Sequence, residues 1–378
     1  MRIFTPLFLV SVILVASACS TSRSKATFSK KTPREKYEEK IKISAPVSPA
    51  VTDWLNAGTY ALNHPFFTPD VYAESGRVYS NIYSATAFST EIKTGQQLTV
   101  SFKSDPGAAF KTYLELWRAG DTLTGRLPAL LIAADTALNF IAYNAAHDER
   151  LVIRFQQELG TSGSYNFHFQ TGPSLQFPIP SDVRSAIGSL WNDPRDGGTR
   201  KHEGVDIFAP KHSPAIAVAD GLVLTVSESE LGGKYVFMQP KDADYNVYYA
   251  HLDSQLVSPG QRVSAGQVLG LTGNTGNARY TPSHLHFGIY SPAGAIDPLL
   301  FIKPVMQQEK KPPLSSPVYL MITTKDTKFI PHIFQPAIGF NLPKKTSLFA
   351  TATTDLYFRV QLADGRNGFV LRSAVKAK

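Results

Sequence analysis

Short runs in which apolar and polar side chains alternate fill most of this chain, the two-residue period of β-strands with one buried face. Residues 98–102, 112–117, 151–155 and 165–169 follow it, separated by Gly- or Pro-bearing turns such as 93–96 and 105–107. The pattern predicts an antiparallel β-sandwich within residues 51–172. A short helix at 51–62 opens that domain, with Val51, Leu55 and Leu62 on one side, Trp54 beside them and Gly58 as a weak point. Past a proline-punctuated joint at 173–180, alternating runs return at 215–226, 235–239, 247–252, 267–272 and 285–290. They predict a second strand-rich domain over residues 173–303, so the fold class is mainly β, with antiparallel sheets.

The two ends read differently. Arg2 precedes an apolar run at 3–15, and the small residues Ala16, Ser17 and Ala18 lead to Cys19. That run is too short to span a bilayer and predicts a secretory signal over residues 1–18. Cys19 is the only cysteine, which excludes an intramolecular disulfide. Its position resembles the lipobox of bacterial lipoproteins, and this resemblance implies lipidation at Cys19 and a membrane anchor. Residues 19–50 are rich in Ser, Thr, Lys and Pro and predict a flexible tether. Residues 20–43 hold eight Lys or Arg against three Glu, five of the chain's eight net positive charges. The folded domains are therefore only mildly basic, and no nucleic-acid partner is expected. Residues 304–317 read as a linker, with Pro312, Pro313 and Pro317. Residues 318–378 alternate again and end in a hairpin pattern around Asp364 and Gly365. In size and ending they resemble a small bacterial Src-homology-3-like barrel, of a kind that often accompanies wall-binding enzymes.

Candidate chemistry is concentrated in the second domain, which holds five of the nine histidines: His202, His212, His251, His284 and His286. On a strand, residues two apart share a face, so His284 and His286 project together while Leu285 and Phe287 face the other way. His202 and Asp206 are also an even number apart. If that segment is extended, Gly204 between them leaves room for a metal. A catalytic zinc takes three N or O ligands and keeps one position open. His202, Asp206 and one member of the histidine pair supply that number, leaving the other member and His251 for proton transfer and charge stabilisation. His212 lies in a turn beside Pro214 and reads as structural. His168 alternates with Phe167 and Phe169 and reads the same way. The 193–198 run is turn-rich and reads as a loop, in which Arg195 and Asp196 are candidates to border the cleft.

Three segments, His202-Glu-Gly-Val-Asp206, Tyr249-Ala-His-Leu252 and His284-Leu-His-Phe287, resemble in order the signatures of the lysostaphin-type (LytM-like) peptidoglycan zinc metallopeptidases. The resemblance covers residues 175–302. It implies that His202, Asp206 and His286 bind Zn2+ and that His251 and His284 are the catalytic histidines. It further implies an endopeptidase that acts on peptide cross-links of peptidoglycan at the cell envelope. Two departures flank the expected cleft: a long 274–282 stretch, and Gly288 where an acidic residue is frequent. The competing expectation is a non-catalytic regulator of other wall hydrolases, since some relatives of the family have lost metal ligands. A regulatory protein partner fits either reading.

Overall fold

The computed structural model describes residues 31–80, 82, 84–105, 110–121, 123, 125–303, 320–334 and 336–378. The expected signal peptide, Cys19 and the 304–317 linker lie outside the described residues. Among the described residues, no helix is long and apolar enough to cross a membrane.

The part of the expected tether that is described is not a loose strand of chain. Helix α1 (Pro33–Ser44) begins with a capping box in which the Thr32 hydroxyl accepts from the Glu35 N–H and the Glu35 carboxylate accepts from the Thr32 N–H. Glu38 bonds Arg34 and Lys42, one turn before and one turn after it. Composition reads these charges as solvated. Their four-residue spacing makes a helix, and the buried Arg34 guanidinium docks it, donating to Gln156 Oε1 and lying 4.5 Å from the Trp54 ring. Helix α2 (Pro49–Asn63) matches the expected helix, with Trp54 buried and its indole donating to the Gln157 carbonyl. Gly58 is a packing device here, because a Cβ at that position would strike the Arg34 guanidinium.

Both helices lie on a two-sheet sandwich. One sheet orders Phe66–Phe67, Ala85–Ile92, Glu149–Gln157, Thr112–Arg118 and Ala129–Ala133. The other contains Val71–Val78, Gly163–Pro173, Gln96–Ser104 and Phe140–Asn144. Phe88, Phe155, Phe167 and Phe169 fill the space between them.

The carboxy-terminal residues correct the expectation of a self-contained barrel. No closed barrel forms among the described residues. Instead Ser347–Thr353 pairs with Val71–Val78 (Ser75 opposite Thr353, Gly76 opposite Ala352), so the sandwich sheet runs on into Tyr357–Gln361 and Asn367–Leu371. Across this seam Arg359 donates two hydrogen bonds to the fully buried Glu74, at 2.9 and 3.0 Å, and a third to the Tyr165 hydroxyl. Local alternation identifies the strands but cannot reveal a partner 285 positions away.

Between these parts in sequence sits the second domain. Its main sheet orders Ala186–Ser189, Val205–Phe208, His284–Ser291, Asn246–Gln255, Gly233–Pro240, Gly221–Ser229 and Arg262–Val263. Pro214–Ile216 and Val268–Thr272 form a pair beside it. The single run read at 215–226 is thus two strands split by a turn. Val205, Ile207, Tyr249, Leu285 and Phe287 point into one core, as the alternation requires. The domain meets the sandwich where the Ser174 N–H donates to the Gly95 carbonyl and Phe301 packs under Gly95.

Candidate metal centre

Antiparallel register brings the candidate ligands together. Asp206 lies directly opposite His286, and Phe208 opposite His284. With Ile207 and Leu285 committed to the core, Asp206, His284 and His286 share the opposite face. His202 precedes the strand and reaches back to the same place. The Nε2 of His202, Nδ1 of His286 and Oδ1 of Asp206 form a triangle with every edge 3.0 Å. Tetrahedral N/O donors about 2.0–2.1 Å from a zinc stand roughly 3.3 Å apart, so this trio fits such an ion with a slight opening. These three are the group among the described residues that could hold a metal.

His251 joins them by breaking a rule. Ala250 pairs with His286 and faces the cleft, so strict alternation would turn His251 into the core. Its backbone instead adopts φ 60°, a left-handed conformation uncommon for a residue with a Cβ. The strand slips register on either side, and Tyr249 and Leu252, three apart, both face the core. The local distortion re-aims the imidazole at the cleft, as β-bulges beside active sites do. Its ring centre is 5.0 Å from that of His284 and 5.9 Å from that of His286.

Backbone carbonyls set the tautomers of three rings, because a carbonyl oxygen only accepts. His202 Nδ1 donates to Leu190 O at 2.8 Å, His251 Nδ1 to Thr275 O at 2.9 Å and His284 Nδ1 to Pro282 O at 2.9 Å. Each Nε2 is left directed at the cleft. The carbonyls for His251 and His284 come from the 274–282 stretch that departs from the family pattern, so that stretch is part of the site's scaffold. Arg195 holds the other side of Asp206, its guanidinium donating to Asp206 Oδ2 at 2.9 Å and to Ser189 Oγ at 2.6 Å. Outer groups of this kind orient metal ligands. Turn composition marked Arg195 as a rim candidate; nothing in the sequence linked it to Asp206.

Electrostatics agree with the geometry. Burial alone would push the Asp206 carboxyl up, but hydrogen bonds from His202 and His286 and their charge hold it well below the usual carboxylate range. Burial, with His284 and His286 nearby, pushes His251 down to about 4. Burial lowers His286 as well. Neutral imidazoles and an ionised carboxylate are the forms that bind a metal.

A cleft of about 420 Å³ surrounds these groups and takes its lining from between Ser189 and Tyr290. No described residue of the sandwich or the carboxy-terminal strands lines it. Asp196 lies at its rim, paired with Arg200. His212 is exposed, faces Asp253 at 3.2 Å and belongs to a turn, as expected.

Fold and donor set together define a β-sheet domain of the metallopeptidase class. Residues 200–298 match the model of peptidase family M23, so this part of the chain is an M23 peptidase domain. An uncharacterized metalloprotease of Haemophilus influenzae is 30% identical over 218 residues, 56% of this chain and 42% of that protein. The peptidoglycan DD-endopeptidase ShyC of Vibrio cholerae is 38% identical over 129 residues, 32% of this chain and 29% of that protein. This chain thus spans less than half the length of these relatives. The catalytic domain of lysostaphin, an antimicrobial peptidase from Staphylococcus simulans, aligns with a TM-score of 0.29 at 30% identity, covering 32% of this chain and 93% of that one. The lysostaphin-type resemblance read from the three motifs is borne out.

Proposed function

We propose that this protein is a zinc endopeptidase that hydrolyses peptide cross-links of bacterial peptidoglycan. The observation that carries the reading is the 3.0 Å triangle of His202, Asp206 and His286 with the Nε2 atoms of His251 and His284 aimed into the same cleft. A DD-endopeptidase among the relatives supports the substrate class.

In this reading His202, Asp206 and His286 hold the zinc, and His251 and His284 are catalytic. When bound, the ion lowers the pKa of a coordinated water towards about 7 and polarises the scissile carbonyl. The chain's own residues do the rest. Leu190 O and Arg195 fix the directions of the His202 and Asp206 donor atoms. One of His251 and His284, each with Nδ1 turned to a carbonyl and Nε2 to the cleft, takes up the proton of the attacking water. Once protonated, an imidazole donates to the oxygen that gains charge, or to the departing amine. Asp206 stays ionised throughout.

A secretory signal and lipid anchor at Cys19 place the enzyme at the cell envelope in the same proposal, with the wall polymer within reach. Purified protein is tested on insoluble peptidoglycan with and without a chelator. Soluble fragments that disappear on chelation support the reading; zinc binding without any wall cleavage counts against it.

A further inference from the structure

A second cavity, larger than the metal cleft, lies where α2, the sandwich and the carboxy-terminal strands meet. Its volume is about 660 Å³, within the roughly 300–1,000 Å³ of ligand sites. The fusion of the two sheets creates it: one wall comes from α2 and the strand Val71–Val78, the other from Tyr357–Gln361, Asn367 and the segment around His332.

The lining has a consistent chemistry. It contains Arg77 and Arg359, His64 and His332, and no carboxylate among the described residues. Arg359 is already neutralised by Glu74. Arg77 is exposed and makes no ion pair among the described residues; its guanidinium lies 5.9 Å from the Tyr79 ring. His332 accepts from the Phe67 N–H through Nδ1, and burial lowers its pKa, so its Nε2 is a neutral donor. Among the described residues, Arg77 is thus a positive charge of the groove without an ion-pair partner. Tyr60 is 58% and Phe67 38% exposed at the groove, Tyr60 stacked on His64 at 4.1 Å and Phe67 edge-on to His332 at 4.9 Å, so each ring is held in place at the surface. Gln361 and Asn367 add amides to the lining. Exposed aromatic rings, amides and a cation without an ion pair among the described residues match a polymer with sugar rings, hydroxyl and amide groups, and carboxylates.

We propose that this groove binds a carboxylate-bearing saccharide strand, the glycan–peptide polymer of the wall, as a second contact with the substrate of the metal centre. The proposal rests on the peptidoglycan reading above. Binding here holds the polymer on the protein while cross-links enter a cleft that shares no lining residue with the groove.

The test uses the full chain, with pelleting on insoluble peptidoglycan and cleavage of a soluble cross-linked muropeptide dimer. Arg77→Glu and the double variant Tyr60→Ala/Phe67→Ala are each expected to weaken pelleting by at least about fivefold. Cleavage of the dimer, too short to need the groove, stays at the wild-type rate, and Arg77→Lys keeps most of the binding. Asn367→Ala serves as a further variant should either of these fail to fold. Wild-type pelleting by the variants overturns the proposal. So does a loss with Arg77→Glu alone, which would mean charge attraction without saccharide recognition. If wild-type protein pellets but cleaves nothing, and the variants lose pelleting, the endopeptidase reading fails while the groove stands.

Discussion

Gly204 is where the metal site is most sensitive to a single methyl group. A Cβ built on it would lie 2.6 Å from the carbonyl oxygen of Phe287 and 2.7 Å from Cε1 of His286. Ordinary contact begins near 3.4 Å, so alanine must displace the backbone or the His286 ring by about 0.7–0.8 Å. A metal ligand tolerates about 0.2 Å. The carbonyl belongs to the central strand and cannot yield freely, so the ring moves and its Nδ1 leaves the triangle. Losing one good ligand bond should weaken zinc binding by at least about 100-fold, near 2.7 kcal/mol. Competition against a chromophoric chelator measures this directly. Gly172→Ala, where an added Cβ has nothing within 4 Å, is the matched control. Gly204→Ala protein that is folded and binds zinc within about threefold of wild type would show that the added methyl leaves His286 in place.

Other expectations follow from the same geometry. Arg195→Ala frees one side of Asp206 and should lower zinc affinity by about 10–100-fold, with Arg195→Lys intermediate; unchanged chelator competition would show that the ion pair positions nothing. In the metal-free protein His251 should titrate near 4 by NMR. Because the unfolded imidazole takes a proton near 6.5 and the folded one does not, stability is lost as pH falls from about 6.5 to 4, by at most roughly 3 kcal/mol. A midpoint at or above 6.5 would contradict the buried, neutral ring. Glu74→Gln leaves Arg359 charged and buried across the seam and should cost about 3–5 kcal/mol in urea unfolding, with the carboxy-terminal strands and sandwich melting together; a cost below about 1 kcal/mol would mean the seam is not held there.

Much of the centre was legible in the chain because its causes are local. Even spacing puts His284 with His286 on one face, and Gly204 stands out as the residue that leaves room. The sandwich and α2 were legible for the same reason, in period-two and period-three-to-four patterns. What escaped was set by distant partners. His251 faces the cleft only through its left-handed backbone, which no alternation rule foresees. The carbonyls of Leu190, Thr275 and Pro282 leave no trace in side-chain identity. Helix α1 was hidden by its charged composition, since its one buried guanidinium finds its partner 122 positions away. The seam joining the carboxy-terminal strands to the sandwich depends on a still longer separation.

In the proposed enzyme His202, Asp206 and His286 hold a zinc which His251 and His284 serve. The most direct measurement combines metal analysis with wall digestion for the wild type and His284→Ala. One zinc per chain is expected in both proteins, with soluble fragments from the wild type alone and none once a chelator is present. A His284→Ala protein that digests the wall at the wild-type rate, or a wild type that digests it without bound metal, would contradict the proposal.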